Sequence, residues 1–203
     1  MKIVCIGRNY SEHARELKNP IPDEPVLFMK PDSSLLMKNK PFFLPEFSNE
    51  IHHEVEIVVR INRLGKHIEK RYAHRYYNEI SLGIDFTARD LQNRCKKEGK
   101  PWEIAKAFDG SAVLGEFIRL DELPDRNAIP FHLDINGRTV QEGNTKDMLF
   151  SIDRIIEYVS GFVTFKMGDL LYTGTPAGVG PVEINDRLEG YIGDRRMFNF
   201  LIK

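Results

Sequence analysis

Residues 54–62 place the strongest constraint on how this chain folds. β-branched side chains crowd this stretch, at Val55, Ile57, Val58, Val59 and Ile61. Such residues favour the extended backbone of a sheet. A short apolar run with this composition is typical of a strand buried in a core. Any fold for this chain must therefore surround the stretch with other apolar elements.

The same predicted strand begins with two acids, Glu54 and Glu56. Residues two apart on a strand project from the same face, so the two carboxylates point together. They repel each other, and a partly dry site can hold both only with a cation or a shared proton. The apolar residues that follow indicate that the strand enters a core, where an unpaired acidic pair is costly. Periodicity alone nevertheless favours the ordinary alternative, a solvated sheet face.

A third acid, Asp85, ends another predicted strand at residues 80–86. Strand ends carry functional groups well, because the strand fixes their position. Three carboxylates without a nearby cysteine favour a hard cation, Mg²⁺ first and then Mn²⁺ or Ca²⁺. Although His52 and His53 precede Glu54, the spacing of a zinc-protease HExxH motif is absent.

The rest of the chain predicts short elements and a single β-rich α+β domain over residues 1–203. We expect strands at 2–6, 26–29, 112–119, 131–135, 138–142, 169–173, 187–192 and 197–202. We expect helices at 10–17, 69–79, 91–97 and 152–160, with Thr87 and Ser151 as N-caps. Asn136-Gly137 predicts a type I′ hairpin turn.

Charge and hydropathy exclude several classes of protein. The net charge is −1, with both signs scattered along the chain, so no basic field marks a nucleic-acid binder. No apolar run approaches the length of a membrane span. Cys5 and Cys95 lie far apart without a CxxC spacing, which favours a reducing compartment. With no signal-peptide core near the first residues, we expect a cytoplasmic protein.

Several ordered motifs resemble the fumarylacetoacetate hydrolase family. They are HHEVE at 52–56, GIDFTARDLQ at 83–92, AKAFD at 105–109 and TGTPAGVG at 173–180. Two more, GRNY at 7–10 with a following His-x-x-Glu and LFMKP at 27–31, resemble its acylpyruvase and oxaloacetate decarboxylase branch. Together these motifs span nearly the whole chain.

The resemblance implies the family's catalytic-domain fold, a mixed β-sandwich roll with short helices, and a homodimer. It implies a Mg²⁺ or Mn²⁺ site, with Ca²⁺ possible in crystals. The family's metal carboxylates correspond to Glu54, Glu56 and Asp85. The resemblance thus favours the metal site over the solvated sheet face.

The resemblance also assigns catalytic roles to His13, Glu16 and Lys106. Glu16 would orient His13, which would activate a water, on an N-terminal segment of about residues 1–25 that serves as a lid. Spacing alone favours the alternative, an ordinary exposed helical histidine near an acid. Lys106 would be a cation near the substrate's oxygens, whereas a lone lysine is ordinarily a surface residue.

Five further residues are expected to bind substrate: Arg8, Lys30, Arg89, Gln92 and Thr175. Arg89 and Gln92 lie one helical turn apart, and the alternative is that they support the metal ligands. For Lys30 the alternative is that it holds a glutamate instead of the substrate carboxylate. Thr175 belongs to the glycine-rich segment 174–180, which by itself indicates only a tight turn.

The expected function is metal-dependent cleavage of a carbon–carbon bond in a small 2-oxo acid, through an enolate. Acylpyruvates such as acetylpyruvate and fumarylpyruvate would be hydrolysed, and oxaloacetate would be decarboxylated. One alternative is the isomerase or decarboxylase for 2-hydroxyhepta-2,4-diene-1,7-dioate of aromatic catabolism. A second alternative is a catalytically silent, metal-binding dimer.

Overall fold

The computed structural model describes residues 1–16, 20–38 and 40–203. Within these ranges the strands are β1 (Ile3–Gly7), β2 (Val26–Lys30), β3 (Ile51–His53), β4 (Val55–Ile61), β5 (Tyr77–Asp85), β6 (Thr87–Ala88), β7 (Ala112–Leu114), β8 (Ile118–Arg119), β9 (Pro130–Ile135), β10 (Arg138–Asn144), β11 (Leu170–Tyr172), β12 (Gly180–Pro181), β13 (Arg187–Ile192) and β14 (Arg195–Leu201). The helices are α1 (Ser11–Glu16), α2 (Lys70–Ala73), α3 (Arg89–Glu98), α4 (Glu103–Lys106) and α5 (Ile152–Phe162). None of these helices is long and apolar enough to cross a membrane.

The strands form three sheets. The largest runs β2-β1-β11-β4-β5-β7, with β8 also paired to β5. β1 pairs with β11 in parallel, and the other pairs in this sheet are antiparallel. A second sheet runs β10-β9-β13-β14, and a small third one runs β12-β3-β6. This mixed, curled β architecture with few short helices confirms the predicted fold class.

β4 lies inside the largest sheet with both faces covered. Val55, Ile57, Val59 and Ile61 pack into the main core, whereas Val58 packs into a smaller cluster on the opposite face. Burying each such side chain stabilises the fold by about 1.5–3 kcal/mol. Glu56 shares the Val58 face because strand residues alternate, so it is enclosed as well.

The largest sheet and the three-stranded sheet β12-β3-β6 separate at Glu54 and Asp85. The chain passes from β3 to β4 through Glu54, and from β5 to β6 through Phe86, immediately after Asp85. The Asp85 backbone N–H donates to the Glu54 carbonyl at 2.8 Å. The predicted strand at 54–62 therefore begins one residue later than expected, and Glu54 occupies the corner between two sheets.

Two predicted secondary-structure features are wrong. The helix expected at 69–79 is only the single turn α2, and Tyr77 already begins β5, paired with Ile61 of β4. Pairing with a buried strand outweighs helix propensity here, and aromatic residues favour strands. Thr87 is not the N-cap of α3: it lies in β6, and its hydroxyl donates to the Asp85 carbonyl at 3.2 Å.

Several other elements depart from or match the predictions. The strand expected at 112–119 is divided into β7 and β8. The helix expected at 10–17 is α1, and Leu17 lies outside the described residues. Asn136 and Gly137 both have positive φ, 53° and 77°, which agrees with the predicted type I′ turn. The Ser151 side chain accepts the Arg154 N–H and caps α5 as expected.

The predicted lid over residues 1–25 requires a correction at its start. β1 is hydrogen-bonded on both sides, to β2 and to β11. Its residues Ile3, Val4 and Cys5 are completely buried. Residues 3–7 are therefore part of the central sheet, and a movable segment can begin only after Gly7.

Gly83, opposite Glu56 in β5, has no space for a side chain. A Cβ atom there would lie 2.4 Å from the Val113 carbonyl oxygen and 2.8 Å from Tyr172. We expect Gly83→Ala to lower the free energy of unfolding by about 1–3 kcal/mol through overpacking, measured by urea denaturation. Gly161→Ala in α5 is the control, because nothing lies within 4 Å of its Cβ position. Equal stability of the two variants would contradict this packing.

Candidate active site

Glu54, Glu56 and Asp85 meet where β4 and β5 leave the large sheet. One carboxylate oxygen from each lies within 4.8 Å of the others. The three residues are at most 5% exposed. Three carboxylates so close in a dry environment require positive charge around them.

Three buried cations surround this cluster. The Lys106 ammonium lies 2.8 Å from Glu54 Oε2 and 2.7 Å from Asp85 Oδ2. Arg89 donates to the other oxygen of Glu54, and the Lys30 ammonium lies 2.7 Å from Asp85 Oδ1. Burial alone would raise the pKa of Glu54, but Lys106 and Arg89 hold it well below its usual range. Burial likewise opposes the charge of Lys106, yet attraction to Asp85 and Glu54 raises its pKa.

Glu56 is the carboxylate without an ion-pair partner among the described residues. Its Oε2 accepts the Gly174 N–H at 2.7 Å. Burial, followed by the proximity of Asp85, raises its pKa well above the usual value. Asp85 Oδ1, in turn, has no hydrogen-bond donor of suitable geometry in the described part of the chain. Hard oxygen donors with unmet capacity, already contacted by an ammonium, fit a divalent cation such as Mg²⁺ or Mn²⁺.

Lys30 lies behind Asp85 and does not face the cleft. Its ammonium is almost fully buried and donates to the carbonyls of Phe86, Lys106 and Ser111 and to the Ser111 hydroxyl. The predicted contact of Lys30 with substrate is thus not supported by its position. The side chain instead holds Asp85 in place and ties it to the start of β7.

His13 and Glu16 form the predicted pair on α1. His13 Nδ1 lies 3.2 Å from Glu16 Oε2, and Glu16 Oε1 accepts the Gly178 N–H at 3.0 Å. Glu16 therefore orients the imidazole and joins α1 to the segment 174–180. Burial lowers the pKa of His13, and the nearby Glu54 and Glu16 offset this only in part. This lowered pKa favours the neutral ring, which is the form required of a general base.

One cleft brings these groups together. Its walls include His13, Lys106 and all three acids of the cluster. Four of the five residues predicted to bind substrate also line it: Arg8, Arg89, Gln92 and Thr175. Arg89 Nη1 donates to Gln92 Oε1 at 2.7 Å, so these two also support Glu54, as the alternative interpretation proposed.

Sequence reasoning missed Lys96 and Trp102, which line the same cleft. Lys96 follows Arg89 by seven positions, which places both on one face of α3. That spacing was the available signal for Lys96.

Gln141, on β10, was also missed. Its amide oxygen accepts from His53 Nδ1 at 2.8 Å and from the Val55 N–H at 3.0 Å. Its amide nitrogen donates to Thr175 Oγ1 at 2.9 Å and to the Pro176 carbonyl at 3.0 Å. This single buried amide connects the start of β4 to the segment that carries Thr175. Nothing in the local sequence distinguishes it from a surface residue of a hairpin.

The family model for the fumarylacetoacetate (FAA) hydrolase C-terminal region matches residues 2–198. The chain belongs to this family. A mouse protein named mitochondrial oxaloacetate tautomerase is 41% identical over 201 residues, which cover 99% of this chain and 91% of the relative. A Dictyostelium discoideum protein named mitochondrial oxaloacetate decarboxylase is 41% identical over 183 residues, covering 90% and 84% of the two chains.

A solved structure of the family shows the same architecture. Fumarylpyruvate hydrolase from Pseudomonas aeruginosa, in complex with Mn²⁺ and pyruvate, superposes with a TM-score of 0.93. It is 31% identical, and the match covers all of this chain and 89% of that one. The resemblance drawn from the ordered motifs is therefore confirmed at the level of family and fold.

Glu56→Gln tests whether the acidic cluster binds a divalent cation. The amide keeps the shape and can still accept the Gly174 N–H, and no ion pair is lost. Because the change removes a ligand charge, we expect Mn²⁺ affinity to fall at least about a hundredfold, beyond the usual cost of changing an outer-shell group. Titration calorimetry measures the affinity. Glu79→Gln, on the neighbouring strand β5 and paired with Arg60, should bind Mn²⁺ like the parent protein; equal binding by Glu56→Gln would exclude Glu56 as a ligand.

Proposed function

We propose that this chain is an enzyme that acts on small 2-oxo acids with Mg²⁺ or Mn²⁺ and breaks the bond between C3 and C4. One observation carries the proposal: the buried acidic cluster, Lys106 and His13, whose ring contacts Glu16, line one cleft. The named activities of the relatives support it, since a tautomerase, a decarboxylase and a hydrolase of 2-oxo acids can all proceed through an enolate.

Glu54, Glu56 and Asp85 would hold the cation. Bound there, it would act as a Lewis acid toward the carboxylate and 2-oxo oxygens of the substrate. Lys106 lies between Glu54 and Asp85. It would add a fixed positive charge near the carboxylate and 2-oxo oxygens of the bound substrate. A preorganised donor at a site of developing negative charge is commonly worth about 3 kcal/mol of barrier.

For an acylpyruvate, His13 acts on water. Its neutral imidazole takes a proton from the water, whose oxygen attacks the distal carbonyl at C4. The C3–C4 bond then breaks, and its electron pair passes to C3 to form the enolate of pyruvate. A proton returned to C3 completes pyruvate, and C4 leaves as the carboxylic acid. Glu16 holds the imidazole in the orientation this step requires.

For oxaloacetate, the same bond breaks without water. C4 leaves as CO₂, and the electron pair again passes to C3. Lys106 is required in this reaction, whereas His13 has no water to activate. Loss of His13 should therefore affect hydrolysis and decarboxylation differently.

A second candidate function is keto–enol tautomerisation of oxaloacetate. The 41% identity to a protein with that name over nearly the whole chain favours it. His13 could remove a proton from C3 and a group in the cleft could return one to the enol oxygen, leaving the C3–C4 bond intact. The isomerase for 2-hydroxyhepta-2,4-diene-1,7-dioate and the silent metal-binding dimer are the remaining alternatives.

We further propose a homodimer with residues 1–203 as one domain in each subunit. Large exposed apolar side chains near one another in sequence support the dimer: Met37, Phe43 and Phe47 are 68%, 68% and 53% exposed, and such patches commonly mark interfaces. A cytoplasmic location stays a prediction, and the mitochondrial names of two relatives make the mitochondrion its alternative.

A substrate panel with and without Mg²⁺ separates these functions. We expect turnover of acetylpyruvate, fumarylpyruvate or oxaloacetate that requires Mg²⁺ and stops in EDTA. Release of pyruvate with CO₂ indicates decarboxylation, whereas loss of the enol absorbance of oxaloacetate without CO₂ indicates tautomerisation. Turnover of the dienedioate alone would favour the isomerase. Activity that persists unchanged in EDTA would exclude the metal-dependent mechanism.

The pH dependence of hydrolysis tests the role of His13. Burial lowers its pKa from the usual value for histidine, and Glu54, Glu16 and Arg89 also face the ring. The neutral base is present above that pKa, so acetylpyruvate hydrolysis should be lost as the pH falls through it. We expect His13→Gln to lower kcat by about 100-fold or more, to remove this acid limb and to spare oxaloacetate decarboxylation. The exposed His74→Gln is the control; an unchanged acid limb in His13→Gln would assign the titration to another group.

A further inference from the structure

The cleft holds more positive charge than its acids neutralise. Four cationic side chains line it: Arg8, Arg89, Lys96 and Lys106. Arg89 and Lys106 are ion-paired to the acidic cluster. Arg8 and Lys96 make no ion pair and no side-chain hydrogen bond with any residue that the structure describes. Two cations at the wall of a polar cleft are thus available to a ligand.

Lys96 is held in place by its surroundings. It lies on the face of α3 that also carries Arg89 and Gln92, and its ammonium sits 5.6 Å from the centre of the Trp102 ring. Burial, followed by repulsion from Arg89 and Arg8, lowers the pKa of Lys96 to about 8. An anion placed between these groups would relieve the repulsion and restore the charged state.

Arg8 adopts a backbone conformation that favours glycine. Its φ is 59°, which costs a residue with a side chain about 1–2 kcal/mol. The next residue enforces this conformation, because the Asn9 side chain accepts the Phe150 N–H and donates to the carbonyls of Phe150 and Thr173. Non-glycine residues held in this region often serve function, and here the side chain contributes to the cleft wall.

We infer that Lys96 and Arg8 bind a second carboxylate of the substrate and make the enzyme prefer dicarboxylic 2-oxo acids to monocarboxylic ones. The inference rests on the proposed function. There the cation held by the acidic cluster binds the carboxylate and 2-oxo group of the substrate, and the cationic wall, formed by Arg8 and Lys96, binds the distal carboxylate. An ammonium and a guanidinium are the groups that pair most strongly with a carboxylate. No other cation in the cleft is free of an acidic partner among the described residues.

Lys96→Met tests this inference, because methionine keeps the length and apolar stem and removes the charge. We expect the ratio of kcat/KM for oxaloacetate or fumarylpyruvate to that for acetylpyruvate to fall at least about tenfold, mainly through KM, as one charge-assisted bond is lost. Lys96→Arg should restore the preference. Lys97→Met is the matched control: the next residue of α3 is exposed and does not line the cleft. An equal fall in kcat/KM for dicarboxylic and monocarboxylic substrates, which leaves the ratio unchanged, would overturn the inference.

A binding measurement keeps the inference separate from catalysis. 2-Oxoglutarate and 2-oxovalerate share a five-carbon 2-oxo acid chain and differ in the distal carboxylate. With the Mg²⁺-loaded protein, calorimetry should show that Lys96→Met lowers the affinity for 2-oxoglutarate at least about tenfold more than the affinity for 2-oxovalerate. This result stands even if no member of the substrate panel is turned over, an outcome that would refute the proposed function alone. Equal weakening of both ligands would overturn the inference.

Discussion

The whole site depends on the burial of three carboxylates at the corner where two sheets separate. Removing one such charge from water costs several kcal/mol even after the protein relaxes. Lys106, Arg89 and Lys30 offset that cost for Glu54 and Asp85. Among the described residues, Glu56 has only the Gly174 N–H as a partner, so its carboxylate has capacity left for the divalent cation proposed above. The site is therefore assembled around positive charge, part of it supplied by the chain.

Several long-range contacts give that site its shape. The segment 174–180 contacts Glu56 through the Gly174 N–H, Glu16 through the Gly178 N–H and Gln141 through Thr175 and Pro176. It thus joins the acidic cluster, the His13–Glu16 pair on α1 and the hairpin β9–β10. Rigid support of this kind keeps reactive groups within the small tolerances that catalysis requires. Glycine allows it, because positions 174 and 178 have φ of 103° and 96°, where side chains are strained.

The sequence predicted the chemistry of the site better than its support. The acids, His13 and Lys106 stand in motifs that resemble those of the family, and all of them line one cleft. Lys30 was expected at the substrate because an isolated lysine gives no direction, whereas its buried ammonium points to Asp85 and three carbonyls. Gln141 was missed because its hydrogen-bond partners are distant in sequence. Lys96 was missed because its place in the cleft depends on how α3 packs in the fold. The helix expected at 69–79 failed for a similar reason, as pairing of β5 with β4 outweighed local propensity.

By itself the sequence determined the buried strand, the two acids on one face of it and the order of the family motifs, because these depend on residue type and short spacing. Only the tertiary structure decided which cations neutralise which acids, and which remain free for substrate. Charge pairing in a dry interior depends on distances of a few ångströms between groups far apart in the chain, and no local pattern specifies such distances. The acidic stretch therefore predicted a cation site. The cationic wall formed by Arg8 and Lys96 could be recognised only in the tertiary structure, which brings α3 and the end of β1 to the same cleft.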